Sequence, residues 1–156
     1  MLATPVQIAA AYSALVNGGH IIKPTIIDKI YDPVTKQFIV NTPKVGSQLI
    51  KQDTSDKIRD LLFQDVYGGL TKMYGIPGYT LGGKTGTSQI AFKGKYMNGN
   101  GWTDGSFVGM VTRDDLKYIV VIHVRRPRSN QYGEYTAGRL FGDLAKFLVE
   151  KGLITK

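Results

Sequence analysis

The residues most able to do chemistry sit in GYTLGGKTGTSQ, Gly78 to Gln89, which can be read in two ways. Taken as G-x-x-x-x-G-K-[ST], Gly78 to Thr85 is a phosphate-cradling loop, with glycine N–H groups and the lysine facing the anion. Taken from Lys84 to Gln89, it is an exposed strand that grips a carboxylate. A phosphate loop needs a buried strand before the glycines and a helix after the lysine. Upstream, KMYGIPGY supplies two glycines and a proline, and downstream Gly86 follows the lysine by two residues. The strand YIVVIHV runs into Arg125-Arg126 rather than into an aspartate that could hold magnesium. The flanks therefore favour a strand.

On a strand each residue has a task. Lys84 is a fixed positive charge that can meet a carboxylate or lower the proton affinity of a catalytic neighbour. The hydroxyls of Thr85 and Thr87 add donors to the same anion. Gly86, lacking a side chain, lets a peptide lie alongside as an added strand, and the Thr87 N–H is then open to an oxyanion.

The other candidates carry less. His20 and His123 are isolated from each other and from carboxylates in sequence, so they read as structural and do not make a metal site. There is no cysteine, hence no disulfide, thiolate zinc site or cysteine nucleophile. Nothing calls for a cofactor. Phe92, Tyr96 and Trp102 flank a Gly/Asn-rich stretch and read equally as a wall over a peptide or as anchors. Arg125, Arg126 and Arg128 read as a polar rim. The net charge of +8 admits anionic partners, but the basic residues are scattered, which disfavours a nucleic-acid module.

The positioning elements follow from periodicity. Thr4-Pro5-Val6-Gln7 opens a helix with a capping box, Ile8, Ala11, Tyr12, Leu15 and Val16 form its apolar stripe, and Gly18-Gly19 ends it. Thr25 to Val40 reads as a hairpin around Asp32-Pro33. A second helix starts at Asp53 or Thr54, presents Ile58, Leu61, Leu62 and Val66, and stops at Gly68-Gly69. Phe92 to Gly105 reads as a long loop with little intrinsic order. Ser106 to Val124 gives two antiparallel strands joined tightly at Arg113 to Leu116. A last helix buries Ala137, Leu140, Phe141, Leu144, Ala145, Phe147 and Leu148 and is capped by Gly152. The longest apolar run is far too short to span a bilayer. Helices, consecutive strands, then a helix make the fold class α+β with a mainly antiparallel sheet and helices packed on it.

GGKTGTSQ resembles the lysine motif of the penicillin-binding proteins, the serine D,D-transpeptidases that cross-link peptidoglycan. ATPVQIAAAYSALVNGGHIIKP, IPGYTLGGKTGTSQ and SFVGMVTRDDLKYIVVIHVRRP resemble, in the same order, the helix before that motif, its approach and the two strands after it in the class B enzymes. The resemblance implies a β-lactamase/transpeptidase-like fold and makes residues 1–156 the C-terminal part of a transpeptidase domain.

The family's serine lies in S-x-x-K, with an S-x-N motif following. Ser13, Ser47, Ser55, Ser88, Ser106 and Ser129 fit neither, and Tyr96-Met97-Asn98 comes after Lys84, the wrong order for the second motif. The resemblance thus implies Lys84 as a catalytic residue and Thr85, Gly86 and Thr87 as substrate-binding residues, without a nucleophile. A noncatalytic peptidoglycan-binding module on the same fold is the alternative. Implied partners are a stem peptide ending in D-alanyl-D-alanine, β-lactams and the missing N-terminal half of the domain, with no nucleic acid. The implied location is the extracytoplasmic face of a bacterial cytoplasmic membrane. Apolar faces left uncovered without that half lead us to expect self-association as a dimer or domain-swapped form.

Overall fold

The computed structural model describes residues 3–64, 74–114 and 116–154. Helix α1 (Pro5–Val16) begins as its sequence dictates. Gln7 N–H donates to Thr4 Oγ1 at 3.3 Å, and Thr4 N–H donates back to Gln7 Oε1 at 2.8 Å. Gly18 and Gly19 end the helix with φ of 85° and 89°, and a Cβ on either would strike Gln52 or the Ile50 carbonyl. The buried positions of α1 are Ala14 and Val16, whereas Ala11 of the expected stripe is exposed.

Helix α2 (Gln52–Gln64) starts slightly earlier than its sequence suggests. It is locked to α1 by buried Ser55, whose hydroxyl accepts from Gly18 N–H and donates to the Leu15 carbonyl, both at 2.9 Å. Ile58 and Leu62 are half-buried, but Leu61 is 65% exposed, which corrects its place in the apolar stripe. Val66 and Gly68-Gly69 lie outside the described residues.

Between the helices, β1 (His20–Ile22) pairs antiparallel with β4 (Val45–Gln48), a pairing absent from the sequence reading. Strands β2 (Lys29–Asp32) and β3 (Gln37–Val40) form the expected hairpin. Its turn is held by the Asp32 carboxylate, which accepts from Thr35 Oγ1 at 2.8 Å and from Val34 N–H at 2.9 Å. Those two bonds hold the Asp32 carboxyl below its usual range.

The sheet that matters for function has the order β5-β8-β9, with β5 spanning Thr80–Gln89, β8 Thr103–Arg113 and β9 Leu116–Arg125, all antiparallel. The short strands β6 (Ala91–Phe92) and β7 (Lys95–Tyr96) pair between β5 and β8. Side chains alternate across the sheet. Leu81, Phe107 and Val111 face the C-terminal helix α3 (Arg139–Glu150), where Phe107 stacks on Phe141 with ring centroids 4.9 Å apart. Gly109 lies between them in sequence and on the same face, because a Cβ there would occupy the Phe141 ring. On the other face Val108 and Met110 are buried, and Gly82 is bare because the Leu62 carbonyl of α2 sits 2.5 Å from where its Cβ would be.

A single π-helical turn, Glu134–Gly138, leads into α3. The buried row of that C-terminal segment is Ala137, Phe141 and Ala145, with Leu144 and Leu148 half-buried beside it. Leu140 and Phe147, expected inside, are about half exposed at 50% and 49%, since they flank the row at neighbouring helical angles.

Two substitutions test this packing in urea unfolding. Ser55→Ala strands the Gly18 N–H and the Leu15 carbonyl and is expected to cost about 1–3 kcal/mol. Phe141→Ala removes the ring that Gly109 makes room for, and is expected to cost about 3–5 kcal/mol.

Candidate functional site

Lys84, Thr85, Gly86 and Thr87 lie in the middle of β5, opposite Val108, Phe107, Ser106 and Gly105. The backbone is extended throughout, so the phosphate-loop reading does not apply. The glycines have other reasons: Gly82 admits α2, and a Cβ on Gly83 would lie 2.6 Å from the Phe107 ring. Gly86 leaves room for the cross-strand hydroxyl of Ser106, which a Cβ would meet at 2.5 Å.

Alternation divides the four residues between the two faces. Lys84 and Gly86 share the face of Gly82, toward α2, while Thr85 and Thr87 share the face of Phe107 and Gly105, toward α3. The Lys84 ammonium is exposed and bends back across the strand, donating to the Thr85 carbonyl at 3.2 Å and the Thr85 hydroxyl at 3.4 Å. The lysine and the first threonine are therefore brought together. The Thr87 hydroxyl is not, because it accepts from Gly133 N–H at 2.9 Å on the opposite face from the lysine Cβ.

The main chain decides what the strand offers a ligand. Ile90 N–H donates to the Trp102 carbonyl at 2.9 Å, one step beyond the Gln89↔Thr103 pair. In an antiparallel ladder, hydrogen-bonded and non-hydrogen-bonded pairs alternate. Even-numbered residues of β5 therefore bond to β8, while Thr85 and Thr87 turn their N–H and carbonyl groups to the other edge. Among the described residues no strand pairs with that edge. The Lys84 contact with the Thr85 carbonyl fits the same orientation.

The Gly-rich stretch after β5 is more ordered than its sequence suggests. The β6–β7 hairpin is closed by Met97 N–H on the Ile90 carbonyl at 3.0 Å, and Asn98 bonds to Gln89. The following turn is fastened to residues 127–131 by Gly101 N–H on the Pro127 carbonyl at 2.6 Å and Gly99 N–H on Gln131 Oε1 at 2.9 Å. Trp102 packs 5.4 Å from Phe92, under the Arg126 guanidinium at 4.8 Å. Trp102 and Phe92 are thus joined to each other, and Tyr96 stays exposed.

His20 contacts the Gly46 carbonyl at 3.4 Å, and His123 lies 3.9 Å from Asp104. Among the described residues no group of histidine and carboxylate side chains could hold a metal, and no helix is long and apolar enough to cross a membrane. A groove of about 500 Å³ lies at the opposite, β9 side of the sheet, lined by Val124, Pro127, Arg128, Tyr135, Arg139 and Leu140 among others. It does not include Lys84 to Thr87. Among the described residues the chemistry-bearing strand lies at an edge of its sheet. The sequence reading gave no place in the site to Gly133, whose backbone N–H reaches the Thr87 hydroxyl, or to Ser106, whose hydroxyl lies across from Gly86; neither carries a motif of its own.

Comparison with known proteins gives the family and the fold. The family profile described as the penicillin binding protein transpeptidase domain matches residues 1–146. Stage V sporulation protein D of Bacillus subtilis is 37% identical over 145 residues, covering 92% of this chain and 22% of that protein. Penicillin binding protein 3 of Mycobacterium tuberculosis superposes with a TM-score of 0.76 at 26% identity, covering 97% of this chain and 36% of that one. The same protein, solved in complex with aztreonam, matches equally well. The chain thus spans about a fifth to a third of the length of these relatives. Matched along nearly its whole length by the family profile and by relatives of one kind, the chain belongs to the class B penicillin-binding protein transpeptidases.

Proposed function

We propose that residues 1–156 are the C-terminal part of a peptidoglycan D,D-transpeptidase domain and supply its substrate-gripping strand. The observation that carries this reading is the extended Lys84–Thr87 segment, whose odd-numbered main-chain groups face, beside the lysine ammonium, an edge with which no strand pairs among the described residues. A stem peptide ending in D-alanyl-D-alanine lies along that edge as an added strand. The Thr85 and Thr87 hydroxyls bind its terminal carboxylate, and Gly86 leaves the strand bare for close approach.

The nucleophile, which no serine of this sequence matches, comes from a partner segment bearing the S-x-x-K and S-x-N motifs. Its serine oxygen attacks the penultimate alanine carbonyl while Thr87 N–H stabilises the oxyanion. The peptide C–N bond breaks, the nitrogen takes a proton, and the terminal D-alanine leaves. An amine of a neighbouring stem peptide then attacks the ester and restores the serine hydroxyl, leaving the cross-link. The Lys84 ammonium lies beside the reacting groups and favours their deprotonated forms. β-Lactams enter as mimics of the same peptide, and the work takes place on the extracytoplasmic face of the bacterial membrane.

The absence of a matching serine also favours a second reading, a noncatalytic peptidoglycan-binding module. The two differ once the partner segment is supplied: labelling by penicillin then appears on that segment only under the first.

Incubating this chain alone with a fluorescent penicillin, followed by a denaturing gel, is expected to give no covalent label. A labelled band would mean that one of its own residues is a nucleophile. Co-folded with a segment carrying the two serine motifs, Thr87→Pro is expected to slow acylation by about 10²–10³-fold. The proline removes an edge-facing N–H without breaking a ladder bond, but also the hydroxyl that accepts from Gly133, so Thr87→Val, which keeps the N–H, is the control and should be slowed less; an undiminished acylation rate in Thr87→Pro would remove Thr87 from the oxyanion site.

A further inference from the structure

Gly133 has no assigned role and is in direct contact with the candidate site. The segment before α3 is held by three successive carbonyls. Gln131 accepts from Thr103 Oγ1 at 2.7 Å, Tyr132 from Thr136 Oγ1 at 2.9 Å, and Gly133 from Gly138 N–H at 2.9 Å. Thr103 and Thr136, which donate two of these bonds, are buried. With its carbonyl side fixed, Gly133 points its N–H at Thr87 Oγ1, 2.9 Å away.

The approach is possible because two glycines, Gly133 and Gly105, are bare where they meet. A Cβ on Gly133 would fall against the Gly86 carbonyl and within 2.9 Å of the Ser106 carbonyl. A Cβ on Gly105, the cross-strand partner of Thr87, would meet Thr136 Oγ1 at 2.7 Å and Gly133 Cα at 3.1 Å. The φ of Gly133 is −61°, accessible to any residue. Glycine is required here for proximity and not for backbone conformation.

A threonine hydroxyl has one O–H to donate and two lone pairs to accept with. When an N–H occupies a lone pair, the O–H is left to donate elsewhere, and the bond polarises it further. A hydroxyl oriented as a donor makes a charge-assisted bond to an ionised carboxylate, stronger than its bond to the neutral carbonyl oxygen of a carboxamide.

We propose that Gly133 is a positioning residue that acts through Thr87: its N–H fixes the Thr87 hydroxyl as a donor and thereby makes the strand edge select ligands with a free C-terminal carboxylate. This rests on the proposed function of the same strand and adds a cause for its selectivity.

The test is an NMR titration of the isotope-labelled chain with N-acetyl-D-alanyl-D-alanine and with its C-terminal amide. The wild-type chain is expected to favour the acid, and Thr87→Val to lower the acid-over-amide ratio by about tenfold or more. Thr87→Ser should restore it. Gly133→Ala should lower the ratio to the same level as Thr87→Val, and the double variant should lower it no further. A purely structural role for Gly133 would weaken acid and amide alike and leave the ratio unchanged, which overturns the proposal. Should Gly133→Ala fail to fold, hydrogen exchange at the Gly133 amide in Thr87→Val decides: faster exchange is expected, and unchanged protection overturns it. A wild-type chain whose amides respond to neither ligand would remove the functional reading itself, whereas intact binding with an unaltered ratio removes only the role of Gly133.

Discussion

The pairing of β5 with β8 is the constraint on which the rest of the site depends. Pairing with β8 fixes the register, and with it which residues turn their main chain outward and which side chains share a face. A shift of one residue would send the main-chain groups of Thr85 and Thr87 into the sheet and exchange the faces of lysine and threonines. The register is held by packing that has nothing to do with chemistry. Leu81, Phe107 and Val111 must meet Phe141 of α3, while Val108 and Met110 must stay buried on the other face. The core therefore determines where the reactive groups point.

Glycine is the means by which helices come close enough to impose that register. Gly82 admits the α2 backbone, Gly109 the Phe141 ring, Gly86 the Ser106 hydroxyl, and Gly105 and Gly133 let two backbones converge beside Thr87. In a strand interior such residues carry an entropic penalty and contribute no side-chain contacts. Here the penalty is offset by the aromatic and carbonyl groups that take the vacated space. The GG of the lysine motif belongs to this set, which is why its resemblance to a phosphate loop is one of spelling alone.

Much of this was legible in the sequence. The capping box at Thr4, the tight β8–β9 connection and the extended character of Lys84 to Gln89 all follow from local signals, and the structure carries each of them. Elements set by distant partners were harder to read. Strands β1 and β4 are short and find each other across the β2–β3 hairpin, and the stretch after Phe92 takes its order from hydrogen bonds to residues 127–131. Leu61, Leu140 and Phe147 satisfied an apolar period without lying on the packed row, because periodicity does not say how wide the covered stripe is. Within the site, the side chains were identifiable from the motif, whereas the partner of the Thr87 hydroxyl was not, since it is a backbone group supplied by a distant turn.

The fastening of residues 131 to 133 by their own carbonyls has a consequence for variation over time. Because the group directed at Thr87 is an amide of the backbone, the side chains on either side of it, exposed Tyr132 and half-buried Glu134, carry no share of that bond. Lineages are free to exchange them and so retune the contour met by an incoming molecule, while the donor beneath stays where the chain trace puts it.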